Sequence, residues 1–288
     1  MTNGFERKKE AGPQGTDFSQ IDPRFLEQSK QWGINDYDAI AAIYDEAMGQ
    51  DIAELIFPVH KAILENEFDL QQKHQYLDVC CGTGSYLREL SRAVSADSIL
   101  IGLDISEGQV GMARQKSEQS KNISYIVGDA VAADFPSGCD VITMNLDTMN
   151  HLRTPEDWQT VQRKIFAALK TDGLFLFDIN TQQRLGRDLN FPEIIVKPDL
   201  THIDFGVSVE TVGDFIRQNH LMRAFKRQPD GSWKEYHANI QHIAPTEEKL
   251  YQMLGEAGFA TAQEILIPEE TRKKHIFLKN RLFIKARK

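Results

Sequence analysis

The segment Leu77-Asp78-Val79-Cys80-Cys81-Gly82-Thr83-Gly84-Ser85 places two glycines and an acid where an apolar strand gives way to a helix. Gly82 and Gly84 let the backbone turn sharply and approach a ligand with no Cβ in the way. On its own the pair could be a tight turn, but its acidic neighbours argue for more. Asp104 closes the run Ile101-Gly102-Leu103, with Ile105 next, and Asp129 closes Tyr125-Ile126-Val127-Gly128 ahead of Ala130. A carboxylate at Asp104 can accept hydrogen bonds from both hydroxyls of a ribose, and Asp129 stands where an adenine amino group would arrive. Asp78, Asp104 and Asp129 end three successive strands around one glycine turn, which points to a nucleoside-bearing ligand.

A second set of polar residues follows the next two strands. Asn145-Leu146-Asp147-Thr148-Met149-Asn150-His151-Leu152 holds a general-base candidate in His151, whose ordinary pKa near 6.5 suits proton transfer. The alternative is that His151 only bonds backbone at a helix entry. Asp178 and Asn180 end the fifth strand, where they could orient an amine or hydroxyl, or cap the turn. Tyr37 and Tyr44 lie upstream at helical spacing, for which core packing is the default.

The elements that position these residues follow from periodicity. Tyr37 to about Leu64 reads as helical, with Pro58 expected to split it in two. Strands at Tyr76–Cys80, Ile99–Leu103, Ile123–Val127, Asp140–Met144 and Leu174–Ile179 alternate with helices. One helix opens at Ser106-Glu107-Gly108-Gln109, which fits a capping box, and another at Thr154-Pro155-Glu156-Asp157. This alternation predicts an α/β fold: a doubly wound, mostly parallel, seven-stranded Rossmann-like sheet. From 181 to 243 the pattern becomes apolar–polar alternation with an Asp230-Gly231 hairpin signal, predicting an inserted antiparallel β lid. Residues 244–288 read as a closing helix and two strands. Residues 36–180 form the core with its covering helices, and residues 1–35 read as a flexible arm, with a short helix near Phe25–Gln31.

On these motifs the chain resembles the class I S-adenosylmethionine-dependent methyltransferases. Leu77 to Gly84 is similar to their first motif, Gly102-Leu103-Asp104-Ile105-Ser106 to their second, and Gly128-Asp129-Ala130 to their adenine-side motif. Cys80 departs from the pattern by replacing a glycine. The resemblance implies S-adenosylmethionine as cofactor, held by Tyr37, Tyr44, Asp78, Cys80, Gly82, Gly84, Asp104, Ile105, Gly128, Asp129, Ala130 and Asn145. It also implies a covering helix whose Tyr-Asp element closes over the cofactor. Tyr44 together with Asn150-His151-Leu152 resembles amine and amino-sugar N-methyltransferases. That implies transfer to a small-molecule nitrogen, with oxygen as the alternative, and His151, Tyr44 and Asp178 as the catalytic candidates. A nicotinamide-dependent oxidoreductase would use similar glycine and acid positions, but its fingerprint wants Gly or Ala where Leu87 stands. A cofactor-binding relative without catalysis is the third reading.

Composition limits the partners. The 288 residues carry 33 basic and 42 acidic side chains, a net charge of −9. That balance argues against a nucleic-acid partner. No apolar run approaches the roughly 20 residues of a membrane span, and Met1 to Glu10 lacks the apolar stretch of a signal peptide. Three cysteines make no disulfide framework, so a cytoplasmic protein is expected. No histidine or cysteine spacing suggests a metal site, and a homo-oligomer is left open. Residues 271–288 hold eight basic and no acidic side chains, and read as a strand with a wet, lysine-protected edge.

Overall fold

The computed structural model describes residues 33–188, 193–274 and 278–288. Five strands run parallel: β1 (Gln75–Val79), β2 (Ile99–Asp104), β3 (Ile123–Val127), β4 (Cys139–Met144) and β5 (Leu169–Asn180). Two more, β10 (Thr261–Glu264) and β11 (Arg281–Arg287), complete the sheet in antiparallel pairing. The order is β10-β11-β5-β4-β1-β2-β3. The chain therefore leaves β1 in one direction and resumes at β4 in the other, and the crevice between their carboxyl ends is where such sheets take ligands. Helices α1 (Gln50–Glu67), α2 (Ser85–Ala93), α3 (Glu107–Lys116) and α4 (Pro155–Ala168) cover the faces. Leu77, Val79, Ile142, Phe175, Phe177 and Trp158 make the buried centre. This is the mixed seven-stranded architecture expected from the alternation of elements.

After the short helix α5 (Gln182–Asp188) comes a separate antiparallel sheet of β6 (Glu193–Lys197), β7 (Leu200–Val212), β8 (Phe215–Arg227) and β9 (Trp233–Pro245). Gly231 turns the β8–β9 hairpin with φ +84°. Leu200, Met222, Ala224, Ala238 and Ile240 of this sheet pack on Ile40, Ile43 and Ala47 of the N-terminal segment. Helix α6 (Glu247–Ala257), capped by Thr246, returns the chain to the first sheet, and α7 (Glu269–Lys274) precedes β11. Among the described residues no helix is long and apolar enough to cross a membrane.

Three local expectations differ from the structure. Pro58 does not divide its helix; it lies inside α1. The irregularity falls earlier, in a 3-10 segment (Asp38–Ile43) and a π turn (Asp45–Gly49). Ile56, Phe57, His60 and Leu64 are buried around the proline, and their packing outweighs its missing hydrogen bond. The basic C-terminal strand is not a wet edge. β11 lies between β10 and β5, with Arg281 buried and Lys285 and Arg287 paired to Glu67. Its cations are ion-pair partners of the core, which is why the alternation resembled a solvated face. Ser106 does cap α3 by accepting from the Gln109 backbone at 3.0 Å, but the Gln109 side chain does not bond back. The predicted helix near Phe25–Gln31, and residues 1–32 of the arm, lie outside the described residues, as does His275-Ile276-Phe277.

Asn150 joins the two sheets. Its side chain donates to the carbonyls of Asn180 (3.1 Å) and Ile243 (2.8 Å) and accepts from the Asn180 amide (2.8 Å), all buried. Asn150→Ala removes three bonds worth about 1 kcal/mol each and leaves their partners unpaired, so a loss of about 3 kcal/mol is expected. Urea unfolding checks this through a lowered midpoint at unchanged slope, and a wild-type midpoint would show that the bridge adds nothing.

Candidate active site

The glycine turn ends β1 in left-handed backbone. Cys80 has φ +59°, Gly82 +53° and Gly84 +73°. A Cβ on Gly84 would lie 2.2 Å from the Tyr125 hydroxyl oxygen, so only glycine fits there. At Gly82 the neighbours leave room, and the left-handed conformation is what favours glycine. Cys80 adopts the same conformation with a side chain, the tolerance its small size suggested. The Asp104 carboxylate at the end of β2 accepts from the Gly82 amide at 2.8 Å and the Ser106 amide at 2.9 Å. Burial raises its pKa, and these two amides oppose the shift.

These residues line a cavity of about 410 Å³. Tyr37, Tyr44, Cys80, Gly82, Asp104, Ile105, Asp129, Ala130 and His151 all face it, so nine of the expected site residues come together. Gly84 and Gly128 shape its walls from behind. Gly84 adjoins Tyr125, and the Gly128 amide donates to the Asp104 carbonyl at 2.8 Å. Asp78 is buried in the sheet instead, where it accepts from the Thr143 hydroxyl at 2.6 Å, and burial lifts its pKa to about 7. Asn145 is buried at the end of β4, with no hydrogen-bond partner for its amide among the described residues. Neither Asp78, Asn145 nor Asp178 lines the cavity.

The N-terminal segment is latched over this opening by two aspartates. Asp38 accepts from the Ser106 hydroxyl and the Gly108 amide, both at 2.6 Å. Asp45 bonds Thr83 in the glycine turn and pairs with Lys116. Tyr37 and Tyr44 are thereby held edge to face, ring centres 5.8 Å apart, above the cavity.

His151 sits on a 3-10 turn (Thr148–His151) that follows two left-handed residues, Leu146 (φ +62°) and Asp147 (φ +51°). Such backbone costs about 1–2 kcal/mol per non-glycine residue. Asp178 holds it by accepting from the amides of both, at 2.7 and 2.9 Å. Arg281 then pairs with Asp178 (2.6 Å) and Asp147 (2.8 Å). Asp178 thus shapes the loop that carries His151. Burial lowers the His151 pKa to about 4, against a raising influence from Asp147, so its ring is neutral at pH 7. Its Nε2 lies 3.1 Å from both the Tyr37 hydroxyl and Nε2 of His242, while Nδ1 has no partner among the described residues.

Several site residues were not anticipated. Gln109 was read as half of a capping box, yet it lines the cavity, and neither atom of its buried amide has a partner among the described residues. Asn35 was assigned to the arm, but it donates to the carbonyls of His151 and Gln241, both at 3.2 Å. Thr148, Arg153 and Asp157 also line the opening. His242 arrives from β9, and no local spacing could have announced it. Asp147, His151 and His242 offer atoms within 4.8 Å of one another, a separation a metal ion could bridge. Both oxygens of Asp147 are already taken, by Arg281 and by Asn180 Nδ2 (2.8 Å), and the two imidazoles bond each other. We therefore read the trio as a hydrogen-bonded cluster.

The donor set fits S-adenosylmethionine. Asp104 lines the cavity with a carboxylate of the kind ribose hydroxyls bond, Ile105, Ala130 and Val131 give apolar walls, and Asp129 stands beside them. The amide of Gln109 and the hydroxyl of Thr148, without partners among the described residues, are buried polar groups beside the cavity that a ligand would satisfy. The volume lies in the range of about 300–1,000 Å³ usual for small-ligand sites. A fully buried leucine, Leu87, occupies the position where a dinucleotide fingerprint takes Gly or Ala.

Two substitutions test this geometry. Asp104→Ala should weaken S-adenosylhomocysteine binding at least tenfold by calorimetry, about 1.4 kcal/mol, and unchanged affinity would remove Asp104 from the site. Asp78 has a folded-state pKa near 7, above the ordinary carboxylate value. Its stabilising contribution is complete below about pH 4 and is lost as pH rises through 7. Asp78→Asn should therefore gain stability relative to wild type between pH 4 and 7.5, and a difference in urea midpoints that stays constant over that range would contradict the assignment.

Comparison with known proteins agrees with the geometry. A family profile described as methyltransferase domain matches residues 77–173. A demethylmenaquinone methyltransferase of Bacillus cereus is 30% identical over 248 residues, covering 83% of this chain and 92% of that enzyme. Among solved structures, an S-adenosylmethionine-dependent methyltransferase from Clostridium acetobutylicum superposes with a TM-score of 0.66 at 19% identity, over 87% of this chain and 98% of the other. The sugar N-methyltransferase KedS8 from Streptoalloteichus gives 0.58 at 15% identity, over 100% and 99%. With its glycine turn, the aspartate at the end of β2 and this likeness over most of its length, the chain belongs to the S-adenosylmethionine-dependent methyltransferases.

Proposed function

We propose that the enzyme methylates a small polar molecule on an amine nitrogen. The observation that carries this reading is His151, a neutral imidazole with one unpartnered nitrogen, in the same cavity as Asp104 and Gly82. When bound, S-adenosylmethionine supplies a methyl group whose bonding electrons remain with its sulfur. The protein must then present a free lone pair on the acceptor and exclude water. An amine arrives largely as its ammonium, and a neutral imidazole can take the proton so that the electron pair stays on nitrogen. Tyr44 and Tyr37 close the cavity above His151, and burial keeps both phenols protonated and able to donate a hydrogen bond. Asp178 acts through the loop and Arg281, as a positioning residue.

The fold likeness to a sugar N-methyltransferase supports a nitrogen acceptor. The Bacillus cereus relative, named for a quinone, is the observation favouring a second reading. The polar surroundings of His151, which include Asn35, Tyr37 and Thr148, favour the amine. Incubation with S-adenosylmethionine and panels of amino sugars, simple amines, phenols and quinols, with S-adenosylhomocysteine quantified, separates the two. His151→Ala should lower kcat about a hundredfold, in the range of lost general-base catalysis, with S-adenosylhomocysteine affinity unchanged. Full activity in this variant would return His151 to a structural role.

A further inference from the structure

Resting on the reading of His151 as the base, we propose that His242, delivered by the inserted sheet, receives the proton that His151 takes from the acceptor. His151 lines the cavity, and its Nδ1 is buried with no partner among the described residues, so Nδ1 is the nitrogen left to bond an acceptor seated against the ring. A neutral ring with its lone pair on Nδ1 carries hydrogen on Nε2. That hydrogen faces two acceptors, Nε2 of His242 and the Tyr37 hydroxyl oxygen, each at 3.1 Å, and the His242 ring is nearly perpendicular with its centre 4.3 Å away. His242 Nε2 is in turn 3.5 Å from Asp147 Oδ2. Asp147 cannot swing away, because Arg281 and Asn180 hold its two oxygens.

The proton movements balance. The N–H bond of the acceptor ammonium breaks with its electron pair remaining on nitrogen, and an N–H bond forms at Nδ1 of His151. The Nε2–H bond of His151 then breaks and one forms at Nε2 of His242, whose positive charge rests beside the Asp147 carboxylate. The reverse hop and loss of the Nδ1 proton to solvent reset the pair once product has left. The charged and titratable groups around the pair are Tyr37 from the covering segment, Asp147 from the loop, His220 from β8, Arg184 from α5 and Arg281 from β11. Of these, Asp147 favours a proton on His151, while burial, His151 itself, His220, Arg281 and Arg184 hold His242 well below the ordinary imidazole range, so His242 carries the proton only in passing.

His242→Gln tests this, because glutamine fills the position with a polar amide that cannot accept the proton. Its kcat should fall roughly tenfold or more, with the acceptor KM and S-adenosylhomocysteine affinity unchanged and an altered pH dependence of kcat. Nitrogen NMR of the ligand-free wild type gives a readout independent of turnover. Hydrogen on Nε2 of His151, with a coupling across the hydrogen bond to Nε2 of His242, is expected. Hydrogen on Nδ1 of His151 would overturn the proposal. So would wild-type kcat and pH profile in His242→Gln, or activity lost to a chelator and restored by a divalent metal. If His151→Ala is impaired while His242→Gln is not, only the relay fails; if His151→Ala is fully active, the base reading fails first.

Discussion

The site depends on a buried ion cluster in which one guanidinium answers two carboxylates. Arg281 enters from the last strand of the chain, Asp178 from β5 and Asp147 from the loop after β4, and the side chains of Arg281 and Asp178 are almost wholly removed from solvent. Charges taken out of water are costly, and removing one member of such a pair typically costs about 3–5 kcal/mol because the other is left uncompensated. Here that cost secures a specific shape. The carboxylate of Asp178 grips two successive amides of a backbone that neither Leu146 nor Asp147 favours. The strained loop then presents His151 to the cavity. The placement of His151 therefore rests on a residue more than a hundred positions downstream, brought to the loop by the pairing of β11 with β5.

Around that centre, three separate pieces of chain converge. The parallel sheet supplies one wall of the cavity through its glycine turn and Asp104. The N-terminal segment is tied down by Asp38 and Asp45 and lays two tyrosines across the opening. The inserted sheet buries an apolar row against the same segment and brings His242 to His151.

Much of this architecture was legible in the sequence because it rests on local signals. The strand–helix alternation, the Gly82–Gly84 turn, the acids at strand ends and the Asp230-Gly231 hairpin each follow from the backbone needs of a few adjacent residues. What escaped was long-range partnership. Arg281 looked like one more cation on a wet edge, because alternation reports that a strand has two faces and not which strand lies on either side. Gln109 satisfied a capping pattern that only the Ser106 half fulfils. His242 lay among scattered histidines, 91 residues from the one it meets. The expectation at Pro58 failed because packing on the sheet offset a local penalty.

The central claim is that one cavity joins the cofactor at Asp104 to the base at His151. A crystal structure of the enzyme with S-adenosylhomocysteine tests it most directly. The account predicts ribose hydroxyls on the Asp104 carboxylate, adenine between Ile105 and Ala130 near Asp129, and sulfur at the end of the cavity framed by Tyr37, Tyr44 and His151. A ligand bound with its sulfur facing away from His151, or seated where Asp104 makes no contact, would contradict it.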